Sequence, residues 1–194
     1  IGLPYPDVEV RVVSLADGVS EVPPGEEGEL VLRGPQVFAG YWNMPDETAI
    51  TLRPDPNGQG GPWLYTGDIV RMDEDGYFYI VDRKKELIKA GGFQVWPREV
   101  EEVLIQHPAV REVAAAGVPD LDGNERVMAW VVLNEGAQVS EDDLRQFARA
   151  ELTGYKVPRH IGFRKELPRT TVGKLLRRKL VQEETERLRQ PTAV

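Results

Sequence analysis

The chain has 194 residues, 41% apolar and 29% charged, with a formal net charge of −8. This suits a globular protein of one large or two small domains, and it argues against a nucleic-acid binder, which needs a basic face for phosphate contacts. Cys is absent, which excludes disulfides, thiolate catalysis and Cys-type zinc sites.

Residues 1–81 read as strands and turns. Val8-Glu9-Val10-Arg11-Val12 and Glu29-Leu30-Val31-Leu32 alternate in polarity and are bounded by Gly or Pro. Pro45-Asp46-Glu47-Thr48-Ala49 reads as the start of a short helix, and Arg53 to Pro62 as a loop. Asp73-Glu74-Asp75-Gly76 is the expected turn between a strand through Ile69-Val70 and the strand Tyr77 to Val81.

From Asp82 the composition changes. Lys84 to Lys89, Ala90-Gly91-Gly92 and Phe93 to Trp96 read as a second hairpin, with the cations alternating along a strand. Pro97 opens a helix, Arg98 to Gln106, whose Val100, Val103 and Leu104 share a face. Strands are expected at Val110–Val118 and Val127–Leu133. Ser140 and Asp143 form a capping box for a helix, Glu141 to Leu152, that buries Leu144, Phe147 and Ala148. A strand near Ile161–Arg164 and a charged final helix complete an α+β domain. The basic stretch Arg159 to Arg189 reads as a solvated helix balanced by Glu183, Glu184 and Glu186, with an anion- or membrane-facing patch as the alternative.

Three stretches invite chemistry. In Tyr65-Thr66-Gly67-Asp68, Gly67 allows close approach of a ligand, and Asp68 offers two acceptor oxygens that suit a vicinal diol; by itself this is also what a Gly-Asp turn looks like. In Asp82 to Gln94, Lys84 and Lys85 also fit edge protection, and Gly91-Gly92 an ordinary turn. The third is Leu167 to Arg178, with Gly173-Lys174. A phosphate-binding P-loop requires Gly at position 168, where this chain has Pro, so that reading fails. Two His and three Ser give no basis for a catalytic triad, and there is no metal-ligand cluster. Trp42, Trp63, Trp96 and Trp130 are expected to be packing anchors.

Together, and in this order, these stretches resemble the C-terminal third of the adenylate-forming superfamily, which contains the acyl-CoA synthetases. Gly28-Glu29-Leu30, Gly34, Gly40-Tyr41-Trp42 and Pro45-Asp46-Glu47-Thr48 resemble the superfamily's preceding core motif. Leu152 to Pro158, Phe163-Arg164 and Leu167-Pro168 resemble bacterial long-chain fatty acyl-CoA synthetases most of all, with Trp96 as one departure.

The resemblance implies an α+β fold: a β-rich end of the large adenylating domain over residues 1–81, then a small mobile lid domain over 82–194. It implies Asp82 as the hinge, and Asp68 and Arg83 as ribose ligands. Lys85 and Gln94 would reach the nucleotide. Lys174 would be the catalytic cation of adenylation, and Lys89 with the Gly91-Gly92 tip would serve the thiol step. The implied reaction converts ATP, fatty acid and coenzyme A into acyl-CoA, AMP and pyrophosphate through an acyl-adenylate. Other adenylating ligases (4-coumarate-like or medium-chain) and a stand-alone binding module are the alternatives.

The chain starts Ile1-Gly2-Leu3-Pro4 without Met and lacks a Ser/Thr/Gly-rich phosphate loop, so it is expected to be an inactive piece of a longer enzyme. The ligands for Mg2+ are expected upstream. The expected location is the cytoplasm, with peripheral membrane contact as a further option.

Overall fold

A computed structural model describes residues 1–189 apart from Gln59, Leu121 and Asp122, and excluding the side chain of Arg189. The chain divides into two compact units, Ile1–Lys85 and Glu86–Val194.

The first unit is an antiparallel sheet. Strand β1 (Glu9–Val13) pairs with β2 (Glu27–Arg33), and β2 pairs with β4 (Trp63–Met72). Two further strands join β4, β3 (Leu52–Arg53) and β5 (Phe78–Arg83). Alternation puts Val12, Leu30, Val70 and Phe78 in one apolar cluster and Val13, Val31, Trp63 and Tyr65 in another. The β4–β5 turn is fixed locally, because Asp73 Oδ1 accepts the backbone N–H groups of Asp75 and Tyr77. Helix α1 (Pro45–Thr51) starts on proline, as the sequence suggests, but buries nothing.

In the second unit, β6 (Ile88–Ala90) and β7 (Phe93–Val95) form the expected hairpin. Strand β8 (Val110–Pro119) runs antiparallel to β9 (Glu125–Leu133), β10 (His160–Phe163) joins β9 in parallel, and β6 meets β9 at Ala90–Glu125. Strand β9 is apolar on both faces because both are covered. Val127, Ala129 and Val131 pack with Val100 and Leu104 of helix α2 (Pro97–Leu104) and Leu144 and Ala148 of α3 (Glu141–Glu151). Met128, Trp130 and Val132 pack with Leu180 of helix α4 (Arg177–Arg189). The capping box of α3 is present in both directions, with the Ser140 hydroxyl accepting the Asp143 N–H at 3.1 Å.

Several expectations need correction. Trp42 is 89% exposed and is no packing anchor, because the short loop before α1 carries it outward, whereas Trp63, Trp96 and Trp130 are buried. Lys84 and Lys85 lie on a single 3₁₀ turn (Lys84–Glu86) and do not alternate along a strand. Phe147 is half-buried, edge-on to His107. Helix α2 ends at Leu104, two residues early, and Arg53 belongs to β3. The boundary between the units falls after Lys85 because β5 continues through Asp82 and Arg83. Gln59, within the expected 53–62 loop, lies outside the described residues. Among the described residues, no helix is long and apolar enough to cross a membrane.

Candidate functional site

In the first unit, the Thr66-Gly67-Asp68 segment sits in the middle of β4, where its pairing with β2 shifts register between Glu29 and Val31. Such an irregularity turns backbone groups and side chains away from the ladder. Gly67 adopts φ +72°, a conformation that L side chains seldom take, and a Cβ there would meet no atom within 4 Å. The glycine therefore answers a backbone requirement beside open space.

Asp68 and Arg83 face each other across β4 and β5, with Arg83 Nε 2.7 Å from Asp68 Oδ1. The contact is ionic but lies outside hydrogen-bond geometry, so Oδ1 is buried without a hydrogen-bond partner. A buried carboxylate oxygen with spare acceptor capacity fits a ligand hydroxyl.

Beside it lies a cleft of about 630 Å³, lined among others by Tyr41, Tyr65, Thr66, Gly67, Arg83 and Lys85. Lys85 is exposed on its wall. One side of the cleft is held by a tied-down loop. The Tyr65 hydroxyl donates to the Gly18 carbonyl at 2.7 Å. In that loop the Ser20 hydroxyl and the Val19 and Ser20 amides hold the Asp17 carboxyl down to about 2.

Sequence reasoning missed the function of Glu29, which it read only as part of a motif. Its side chain is 4% exposed; Oε1 accepts the Gly67 N–H at 3.2 Å and Oε2 accepts Lys84 Nζ at 2.6 Å. Glu29 thus fastens Gly67 to the turn that follows β5. The available signal was a glutamate directly before the apolar run Leu30-Val31-Leu32. Asp82 is buried on β5, where its Oδ1 accepts the Arg83 N–H at 2.7 Å.

In the second unit, Lys89 and Gln94 are direct partners across the β6–β7 hairpin, and both are exposed. Gly91 and Gly92 at its tip adopt φ +58° and +85°, and a Cβ at either would meet no atom within 4 Å. The tip is open, and both glycines meet a conformational need. The Lys89 N–H donates to Glu125 Oε2 at 2.6 Å, tying the hairpin to β9. Phe93 stacks on Tyr155 with ring centroids 4.4 Å apart, beside a cleft of about 520 Å³ that also contains Arg126, Arg145, Arg149 and Arg159.

Lys174 lies on a separate tight loop. Thr170 and Lys174 close it with a backbone bond of 2.8 Å, and Gly173 takes φ +82°. The Lys174 side chain is exposed, and its ammonium has no partner among the described residues. The candidate residues therefore form one group in the first unit (Asp68, Asp82, Arg83, Lys85) and two in the second (Lys89, Gly91, Gly92 and Gln94 on the hairpin, Lys174 on its loop). Among the described residues, no group of three or more His, Asp or Glu could hold a metal ion.

Residues 1–42 match the family model of the AMP-binding enzymes, and residues 99–174 match that of the AMP-binding enzyme C-terminal domain. A long-chain-fatty-acid–CoA ligase of Bacillus subtilis is 50% identical over 186 residues, 96% of this chain and 32% of the relative. One from Escherichia coli is 50% identical over 183 residues, 94% of this chain and 31% of the relative. The crystal structure of ATP-bound MatB from Rhodopseudomonas palustris superposes with a TM-score of 0.88 at 35% identity, covering 97% of this chain and 36% of that one. The chain spans about a third of the length of the curated relatives it matches.

Proposed function

From the chain's membership of the adenylate-forming, AMP-binding enzymes we propose that it supplies the nucleotide-gripping edge and the catalytic lid of a long-chain fatty acid–CoA ligase. The observation that carries the reading is the buried, unbonded Oδ1 of Asp68 beside Arg83, next to an open cleft. In this reading Asp68 accepts the two ribose hydroxyls of ATP, and Arg83 donates to the same sugar. Lys85 and Gln94 reach the nucleotide in alternate orientations of the second unit.

In the first half-reaction a carboxylate oxygen of the fatty acid attacks the α-phosphorus. The bond to the bridging oxygen breaks, and pyrophosphate leaves with the electron pair. Two anions meet in this step and negative charge builds on the phosphoryl oxygens. The Lys174 ammonium, free of any competing partner on its own loop, offsets both. Removing such a cation raises a barrier by about 3 kcal/mol or more.

In the second half, the coenzyme A sulfur attacks the acyl carbonyl, AMP departs, and the thiol proton passes to solvent. Lys89 and the open Gly91-Gly92 tip serve this step. The two halves need different surroundings, so we place a hinge at Asp82 that exchanges the Lys174 loop for the β6–β7 hairpin. In this reading the magnesium ligands belong to the upstream part of the longer enzyme. The reaction is placed in the cytoplasm, with peripheral membrane contact as the route for the fatty acid.

The test uses the full-length protein. Pyrophosphate release should depend on fatty acid and be strongest with long chains. Lys174→Ala should abolish acyl-adenylate formation while leaving thioester formation from supplied acyl-adenylate largely intact. Pyrophosphate release that responds to short or aromatic acids instead would reassign the substrate; equal loss in both halves would remove Lys174 from its assigned step.

A further inference from the structure

The loop bearing Lys174 is fastened at both ends. On its entry side, Arg169 donates to the Gly173 carbonyl at 3.0 Å and to Glu112 of β8 at 2.8 Å. On its exit side stands Arg177, three residues beyond Lys174 and the first residue of α4. Its Nη2 donates to both Glu101 oxygens at 2.8 Å, and its Nη1 to Glu86 Oε2 at 2.6 Å. Glu101 Oε1 also accepts the Ala115 N–H at 2.7 Å, so the acceptor is itself held to β8. The three side chains are only 22%, 24% and 16% exposed for Arg177, Glu86 and Glu101.

This placement works against the helix it begins. A helix N-terminus carries partial positive charge and favours acids, yet the first turn of α4 holds Arg177, Arg178 and Lys179 and no acid. A partly buried cation between two carboxylates also carries a desolvation cost that an apolar side chain would avoid. Helix stability therefore does not account for Arg177. Geometry does: its fork joins the exit of the Lys174 loop to α2 and to Glu86, the residue that opens the second unit.

We infer that Arg177 is a positioning residue for Lys174, with Glu86 and Glu101 as its fixed anchors. The inference rests on the adenylation role proposed above for Lys174. A lysine on a four-carbon stem delivers its charge accurately only from a fixed base, and displacement of about 1 Å can cost on the order of a hundredfold in rate. Arg177 supplies that base without touching substrate.

The experiment measures both half-reactions and loop hydrogen exchange in the full-length protein. Arg177→Ala should lower acyl-adenylate formation about 10- to 100-fold, while thioester formation from supplied acyl-adenylate stays within about twofold of wild type. The amides of Gly173 and Lys174, both bonded to Thr170, should exchange faster. Glu86→Ala leaves the fork on Glu101 and should show the same selectivity with a smaller loss; it decides the matter if Arg177→Ala does not fold. Arg177→Lys keeps the charge without the fork and should recover only part of the rate. Equal loss in both halves, or unchanged selectivity with unchanged loop exchange, overturns the inference and leaves Arg177 a stabilising ion pair. Absence of acid-dependent pyrophosphate release in the wild type overturns the proposed reaction instead, and loop exchange then still decides whether Arg177 holds the loop.

Discussion

Arg83 and Asp68 are paired twice, as backbone partners across β4 and β5 and through an ion pair of 2.7 Å between Nε and Oδ1. The guanidinium neutralises the carboxylate without occupying its hydrogen-bonding capacity, since Oδ1 stays unbonded and buried.

Asp68→Asn should therefore act on nucleotide binding more than on folding. Hydrogen bonds to a charged group are worth about 1.5–3 kcal/mol, so the KM for ATP of the full-length enzyme should rise about 10- to 100-fold. Arg83 is 57% exposed, so losing the ion pair itself should cost at most about 1 kcal/mol of stability. ATP titration and a thermal melt separate the two effects, and an unchanged KM would remove Asp68 from the ribose.

Glu29 and Lys84 should behave as a coupled pair. Lys84→Met leaves the buried Glu29 carboxylate without its cation, at about 1–3 kcal/mol, whereas Glu29→Gln leaves Lys84, 39% exposed, able to turn to solvent at a lower cost. The double variant should cost less than the sum of the two, because neither charge is then stranded. Denaturant midpoints of the four proteins measure the coupling; strict additivity would mean that the 2.6 Å contact carries no energy.

Ser140→Ala removes the acceptor for the Asp143 N–H and should destabilise the second unit by about 1 kcal/mol. Ser140→Asp, which can still cap α3, should recover most of the loss. Chemical denaturation followed by helix signal checks both, and a silent Ser140→Ala would show that packing of Leu144 and Ala148 alone holds the helix.

Acid should loosen the loop beneath Tyr65. The Asp17 carboxyl is held at about 2 against an ordinary 3.8, first by the Ser20 hydroxyl and then by the Val19 and Ser20 amides. A lowered folded-state value means that its contribution is fully present above pH 3.8 and is lost as pH falls towards 2. Asp17→Asn should therefore flatten the decline in melting temperature between those pH values. An identical decline in variant and wild type would assign the effect to other carboxylates.

Much of the second unit was readable from the chain because its signals are local. Pro97 at a helix start, Ser140 with Asp143 one turn on, and Gly91-Gly92 between short strands act within a few residues. The candidate residues could be named because whole motifs stood in order. Trp42 was misread because side-chain size says how much surface could be buried, not whether neighbours arrive to cover it. Lys84 and Lys85 fall on a turn and not on a strand because two adjacent cations suit either solvated setting, and no local pattern separates the two.

By itself the sequence determined the local elements, the order of the motifs and hence the resemblance to a family, since each depends on residues close along the chain. Only the tertiary structure decided which charges meet. Glu29 reaches Lys84 across 55 positions and Arg177 reaches Glu86 across 91. Such pairs form where strands and helices bring distant segments together, and their identity follows from register and packing, which no local pattern of residues encodes.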